Sequence, residues 1–235
     1  WEQTGVSSLA VTLASRFDLS SIIGSELAIT TYAFNSFDIS LLQGKDIERS
    51  RMLALLYYTG YLTIAKASSS NKIILAFPNR EVASSFTGNL LSRHLRKDPD
   101  EMYIWLADFI EAAENGDAEE MRRKLDEYFS AFSYELMGDE RERFYHAIFH
   151  AVFLMAGLHA ASEDRGMRGR ADEVLIAGSH IWIFELKVDR TADEALGQIE
   201  EKGYGDKYSY LMKPGMAMHK VGISFSSSER KIAEW

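Results

Sequence analysis

Residues 169–189 read GRADEVLIAGSHIWIFELKVD, in which two apolar segments flank a Gly-Ser pair at positions 178 and 179. A glycine followed by a small polar residue between two such segments is typical of a two-residue β-hairpin turn. Counting outward from this turn places Asp172 directly opposite Glu185. Opposed residues of an antiparallel pair have Cβ atoms roughly 5 Å apart. The sequence therefore predicts two neighbouring carboxylates on adjacent strands.

Charged residues interrupt the second apolar segment, residues 181–188, at a spacing of two. Glu185 and Lys187 are therefore expected on one face of a buried strand. Repulsion between Asp172 and Glu185 is relieved when a divalent cation takes oxygen ligands from both, and we predict Mg²⁺ with Mn²⁺ as its substitute. Lys187 could orient or activate an attacking water, or neutralise charge on a phosphate. The alternative is that the two carboxylates are solvated, with Lys187 as their surface partner.

The arrangement of Asp172, twelve intervening residues and the tripeptide Glu185-Leu186-Lys187 resembles the PD-(D/E)XK nuclease superfamily. Five ordered motifs are similar to the nuclease-like domain at the C-terminus of bacterial AAA-ATPase-like proteins. They are GRAD (169–172), FELKVD (184–189), ALGQI (195–199), KGY (202–204) and VGISFS (221–226). The resemblance implies an α/β fold of the restriction-endonuclease type, with a mixed sheet flanked by helices. It also implies metal-dependent hydrolysis of DNA phosphodiesters, although RNA remains possible as substrate.

The same resemblance assigns roles to residues outside the hairpin. Glu142, on the first helix of the nuclease-like part, matches an acidic residue that often completes the metal site, with Glu140 and Glu163 as competitors. Gln198 resembles a polar residue used near the scissile phosphate, and a solvated glutamine is its alternative. The sequence departs from the family at Glu173, where an apolar residue is usual. Either the strand is exposed there, or Glu173 competes for the metal.

Arginines cluster just before the hairpin. Guanidinium groups at these positions could hold phosphate oxygens in bidentate fashion, or they could belong to an ordinary solvated basic loop. The three residues are Arg165, Arg168 and Arg170.

Three potential zinc ligands follow each other at helical i, i+4 spacing. They are Glu142, His146 and His150. The pattern is not H-E-x-x-H and no fourth ligand is evident, so a structural role is favoured over a zinc site.

The chain divides into three predicted segments. Residues 1–97 resemble the end of the ATPase-like module, and their pattern predicts a winged-helix-like region. An acidic helical connector is predicted for residues 98–138, and the nuclease-like domain is predicted for residues 139–235. Elements expected along the chain are helices near 6–16, 47–59, 80–96 and 140–158, strands at 61–66 and 73–77, a helix that begins after Thr191, and a last strand at 219–225.

The resemblance implies that a nucleotide-binding half precedes Trp1. The chain contains no G-x-x-x-x-G-K-[ST] phosphate loop. We therefore expect no nucleotide site in this fragment and no ATP hydrolysis by it alone. An alternative function is a catalytically silent nuclease-fold module that serves ATP-gated binding of protein or nucleic acid.

Composition limits the remaining possibilities. The chain has 235 residues, no cysteine and a net charge of −9, so disulfides and thiolate zinc sites are excluded. Residues 98–138 contain twelve acidic and three basic residues. Their net charge of −9 equals that of the whole chain. Residues 1–97 carry a net charge of +3 and residues 139–235 a net charge of −3, so these two segments cancel. We expect a cytoplasmic protein with no membrane partner, and the sequence does not indicate an oligomeric state.

Overall fold

The computed structural model describes residues 5–15, 17, 19–23, 26–38, 48–68, 70–132, 141–157 and 171–235. Within them the α-helices are Gly5–Ala14 (α1), Thr31–Asn35 (α2), Arg49–Tyr58 (α3), Arg80–Leu95 (α4), Pro99–Glu114 (α5), Ala118–Ser130 (α6), Arg141–Ala156 (α7), Ala192–Glu201 (α8) and Tyr204–Lys207 (α9). The strands are Leu27–Thr30 (β1), Thr63–Ala67 (β2), Lys72–Ala76 (β3), Glu173–Ala177 (β4), His180–Val188 (β5), Ala217–Ser226 (β6) and Lys231–Glu234 (β7). Short 3₁₀ turns occur at Leu19–Ser21 and Ser209–Leu211.

Side-chain caps mark the starts of several helices. Asn79 accepts a hydrogen bond from the Val82 amide at the start of α4, at 2.9 Å. Asp117 caps α6 in the same way, by accepting a hydrogen bond from the Glu120 amide. Thr191 accepts from the Glu194 amide at the start of α8, as the sequence predicts. Each cap satisfies an amide that has no partner within its helix.

A three-stranded antiparallel sheet lies in the amino-terminal part, in the order β1-β3-β2. The two predicted strands correspond to β2 and β3. Strand β1 is an addition that the sequence did not predict, because four residues are too short for a clear periodic signal. We call β1–β3 the amino-terminal sheet. The winged-helix assignment of this region stays a prediction.

The second sheet has the order β4-β5-β6-β7 and is mixed. Strands β4 and β5 form an antiparallel hairpin with Ala177 paired to His180, which confirms the predicted register. Strands β5 and β6 run parallel, and β6 and β7 run antiparallel. The expectation that the strand near 219–225 is the last was wrong, because Ala217–Ser226 is followed by Lys231–Glu234. Strand β7 has only four residues, which is too short for the alternation of apolar and polar residues to be recognised.

Helices cover both faces of this mixed sheet. On one face, α5, α6 and α7 join it in a hydrophobic cluster that extends from α1 to β7 and so runs through all three predicted segments. On the other face, α8 and α9 cover a smaller cluster that includes Val174, Ile183 and Ile199. Among the described residues, no helix combines the length and apolar character needed to cross a membrane.

Candidate active site

Asp172 lies immediately before β4, at the open end of the hairpin. Its Oδ2 accepts a hydrogen bond from the Leu186 amide at 2.8 Å. The same oxygen is 3.6 Å from Nδ1 of His146 on α7. This carboxylate is therefore anchored to the backbone next to Glu185 while a quarter of its side chain, 25%, stays exposed.

Glu185 lies in the central strand β5 and is only 2% exposed. Its Oε1 accepts hydrogen bonds from Nζ of Lys187, at 3.1 Å, and from Nε2 of Gln198. Its Oε2 is buried and has no hydrogen-bond partner among the described residues. A buried carboxylate oxygen without a donor is costly, so this atom is suited to a ligand that carries positive charge.

The electrostatic surroundings of Glu185 oppose its ionisation. Burial, and next the negative charge of Asp172, raise the pKa of Glu185 to about 7, although the hydrogen bond and charge of Lys187 and a hydrogen bond from the Asp172 backbone act in the opposite direction. A raised pKa caused by desolvation and a second carboxylate is a common feature of functional sites. In the absence of a cation, this carboxyl group therefore keeps its proton to a higher pH than an ordinary glutamic acid.

Helix α8 brings Gln198 to Glu185, and Gly222 on β6 permits the close approach. Gly222 is the β6 partner of Glu185 in the parallel pair. A Cβ atom at position 222 would lie 2.4 Å from the backbone oxygen of Ala192 in α8. The absence of a side chain at this position therefore lets α8 lie directly on the strand that carries Glu185.

Four of the residues predicted for the site converge in the structure. Asp172, Glu185, Lys187 and Gln198 lie around the open end of the hairpin. Glu142 lies in the first turn of α7 and is exposed. No group of three or more potential metal ligands was found among the described residues, so Glu142 does not complete a triad there. The predicted phosphate-binding residues Arg165, Arg168 and Arg170 lie outside the described residues.

Glu173 faces the opposite side of the sheet from Glu185, because successive strand residues alternate. It is 3% exposed, so the expectation of an exposed strand at this position was wrong. Its Oε1 contacts Nδ1 of His150 on α7. The departure from the apolar pattern thus corresponds to a buried contact between a carboxylate and an imidazole.

His146 is a functional candidate that the sequence did not single out. Sequence reasoning treated it only as part of a zinc pattern with Glu142 and His150. In the structure, His146 and His150 lie one helical turn apart and contact the consecutive residues Asp172 and Glu173. The i, i+4 spacing indicated that His146 and His150 share one face of α7. Only the packing of α7 against β4 shows which residues this face contacts.

A comparison with models of known protein families gives a match to the second half of the chain. Residues 140–235 match the family model described as PD-(D/E)XK nuclease superfamily. The match supports the assignment of this segment to that superfamily and, at that level, indicates a nuclease. The mixed sheet flanked by helices is consistent with it.

A similar protein occurs in Azotobacter chroococcum mcd 1, under the name "Uncharacterized protein in vnfD 5'region". It is 28% identical over 188 residues, which cover 76% of this chain and 36% of the relative. The chain thus spans about a third of the length of this relative. No solved structure matches the chain.

Proposed function

We propose that this protein hydrolyses DNA phosphodiesters with the help of a divalent cation, Mg²⁺ or in its place Mn²⁺. The observation that carries the proposal is the environment of Glu185. A buried carboxylate lies beside a second carboxylate, and one of its oxygens has no hydrogen-bond donor among the described residues. The neighbouring carboxylate and the buried oxygen without a donor together favour a bound cation at Glu185.

The donor set fits a hard cation. Asp172 and Glu185 supply carboxylate oxygens, the ligands that Mg²⁺ prefers. When bound, the cation supplies Lewis-acid stabilisation of the charge that develops on the phosphate. Glu142, which is exposed in the first turn of α7, is a proposed additional ligand.

The remaining residues have distinct proposed roles. Lys187 is 16% exposed at its side chain and keeps its ammonium group within 3.1 Å of Glu185, so it can orient a water or stabilise a phosphate oxygen. Gln198 holds the Glu185 carboxylate through its amide group and assists at the phosphate. Both donors approach the same oxygen of Glu185, which leaves the other oxygen for the cation.

The test is cleavage of single-stranded and plasmid DNA by the purified chain in Mg²⁺, with EDTA as the negative control. Asp172→Asn and Lys187→Met are each expected to lower kcat by about 100-fold or more, because each removes a group that acts on the reacting atoms. Glu201→Gln, a matched change at an exposed carboxylate on α8, is expected to keep wild-type activity. Equal cleavage by all variants would point to a contaminating nuclease and contradict the assignment of the site.

Control by an ATPase-like module is a further part of the proposal and is supported by the motif resemblance alone. The longer relative leaves room for such a module, since the match covers only 36% of it. The experiment is to measure cleavage by a full-length homologue with and without ATP. Failure to cleave under both conditions would favour a binding module that has lost catalysis.

A further inference from the structure

The connection between β5 and α8 consists of three residues, 189–191. It joins the two groups that donate hydrogen bonds to Glu185, since Lys187 lies shortly before it and Gln198 lies in the helix that follows it. Both donors reach the same carboxylate oxygen, Oε1. The path of this short connection therefore decides whether the two groups can meet at Glu185.

Asp189, the first residue of the connection, turns the chain away from the direction of β5. Its φ is 54°, in the left-handed region that aspartate adopts more readily than most residues other than glycine. Its amide donates a hydrogen bond to the Phe225 backbone oxygen of β6 at 2.9 Å. The start of the connection is thus fixed to the end of the sheet, in a backbone conformation that cannot continue a strand.

The Asp189 carboxylate binds a residue that directly follows β6. Its Oδ1 accepts a hydrogen bond from the Ser227 amide at 2.9 Å, and its Oδ2 accepts one from the Ser227 hydroxyl at 2.7 Å. We call this pair of hydrogen bonds the Asp189–Ser227 clasp. Ser227 is 6% exposed, and hydrogen bonds to a charged acceptor are stronger than those between neutral groups. The clasp therefore ties the two ends of the parallel strands together.

The other two residues of the connection are also held by hydrogen bonds. The Ser224 hydroxyl donates to the Arg190 backbone oxygen, and Ser224 is the β6 partner of Lys187. The Thr191 hydroxyl accepts a hydrogen bond as the cap of α8. Every residue of the connection is thus fixed to β6 or to α8, and Asp189 is the one that uses a charged side chain.

We propose that Asp189 is a positioning residue of the active site, which acts through Lys187 and Gln198. The clasp fixes the connection in the path that brings both donors to Oε1 of Glu185. This inference rests on the proposed nuclease function and adds a residue to which that function assigns no role. It also accounts for the last residue of the FELKVD segment (184–189) by its geometry.

The direct measurement is the side-chain amide of Gln198 in a nitrogen–proton correlation spectrum of the metal-free chain. The Gln198→Glu variant identifies these signals, because it lacks them. Asp189→Gly keeps access to the left-handed conformation but removes the carboxylate, so it separates the clasp from the backbone turn. We expect Asp189→Gly to shift the Gln198 signals, because the amide group no longer keeps its position at Glu185.

The second measurement is Mg²⁺-dependent cleavage of DNA by the same variants. Asp189→Gly is expected to lower kcat by about tenfold with little change in KM, because the displaced donors act at the reacting atoms. Asp189→Asn keeps an oxygen for the Ser227 amide, and its own amide group can donate to the Ser227 hydroxyl. It should therefore restore most of kcat and the wild-type Gln198 signals.

Two further variants complete the set. Ser227→Ala removes one of the two hydrogen bonds and leaves Asp189 in place, so it should give the same changes in a milder form. Asp117→Ala is the matched control for a loss of stability alone. Asp117 is also exposed and also accepts a hydrogen bond from a backbone amide, but it caps α6. It should lower the urea midpoint without changing kcat or the Gln198 signals.

The results separate this inference from the proposed function. Unchanged Gln198 signals in both clasp variants, or a fall in kcat no larger than in Asp117→Ala, would overturn the positioning role. Failure of Asp189→Asn to restore the wild-type values would also contradict it. Shifted Gln198 signals in a chain that never cleaves DNA would support the positioning role and contradict the nuclease proposal. Cleavage that depends on Lys187 but not on Asp189 would do the reverse.

Discussion

Glu185 is a carboxylic acid that the fold holds almost out of contact with water, beside Asp172. Its raised pKa of about 7 has a consequence for stability. The folded chain binds a proton at this group between about pH 4.5 and pH 7, whereas the unfolded chain does not. The free energy of unfolding of the metal-free protein therefore falls as pH rises through this window.

We expect Glu185→Gln, which is neutral at every pH, to gain stability relative to the wild type by up to roughly 3 kcal/mol between about pH 5 and pH 8. Urea unfolding at both pH values, in EDTA, gives the comparison. Mg²⁺ should then stabilise the wild type but not the variant. A constant difference across the pH range would show that Glu185 titrates at its ordinary value.

His219 changes the stability in the opposite direction to Glu185 as the pH rises. Its Nε2 lies 2.7 Å from Nδ1 of His180 on the neighbouring strand, and its ring stacks on Trp182. Burial, and then the charge of His180, lower the pKa of His219. The unfolded chain therefore binds more protons below about pH 6.5, so the stability contributed by neutral His219 is present above that pH and is lost as pH falls.

The corresponding variant is His219→Gln. On acidification from about pH 7.5 to pH 5.5, the wild type should lose more unfolding free energy than His219→Gln, because only the wild type must protonate this imidazole. Urea midpoints at the two pH values measure the difference. Parallel losses in both proteins would contradict the lowered pKa.

Helix α8 and strand β6 depend on one another at Gly222. A methyl group at this position would meet the Ala192 oxygen at 2.4 Å and the Leu196 amide nitrogen at 2.9 Å, and neither backbone atom can move without moving α8. A hydrogen bond also joins the start of α8 to β7, since Glu234 of β7 accepts from the Ala192 amide at 2.8 Å. The position of Gln198 therefore depends on three elements.

Gly222→Ala is expected to displace α8 and to cost about 1–3 kcal/mol of stability through overpacking. Cleavage should fall further than stability explains, because Gln198 moves away from Glu185. Measurements of kcat and of urea unfolding on the same preparation separate the two effects. Gly197→Ala, at an exposed position of α8 with no atom near the added Cβ, is the matched control and should be neutral or slightly stabilising.

At the scale of the whole molecule, aromatic side chains join helix α6 to the mixed sheet. Phe129 of α6 packs on Phe225 of β6 with ring centroids 4.8 Å apart, and Asp126 of α6 accepts a hydrogen bond from the Ile232 amide of β7. The acidic helices, predicted as a connector, thus contribute directly to the packing of the nuclease-like sheet.

Phe129→Ala is therefore expected to cost about 3–5 kcal/mol and to destabilise the nuclease-like sheet together with the acidic helices. The loss should appear as one shifted transition by both circular dichroism and tryptophan fluorescence. Tyr32→Ala, at a side chain that is mostly exposed, should change stability by less than about 0.5 kcal/mol. Two separate transitions in Phe129→Ala would instead support independent folding of the segments.

Local pattern was sufficient for the hairpin and its charged residues. The Gly-Ser turn and the period of two determine the register, so the positions of Asp172, Glu185 and Lys187 could be derived before any coordinates. The start of α8 after Thr191 could be predicted in the same way, because capping depends on residues three or four positions apart.

Contacts between distant segments could not be derived in this way. Two contacts of this kind are the approach of His146 to Asp172 and the burial of Glu173 against His150, which join residues 26 and 23 positions apart. Such pairs leave no periodic signal, because they depend on how sheets and helices pack rather than on the spacing within one element. The charged hairpin thus follows from the chain itself, whereas its contacts with α7 and α8 exist only once the core has assembled.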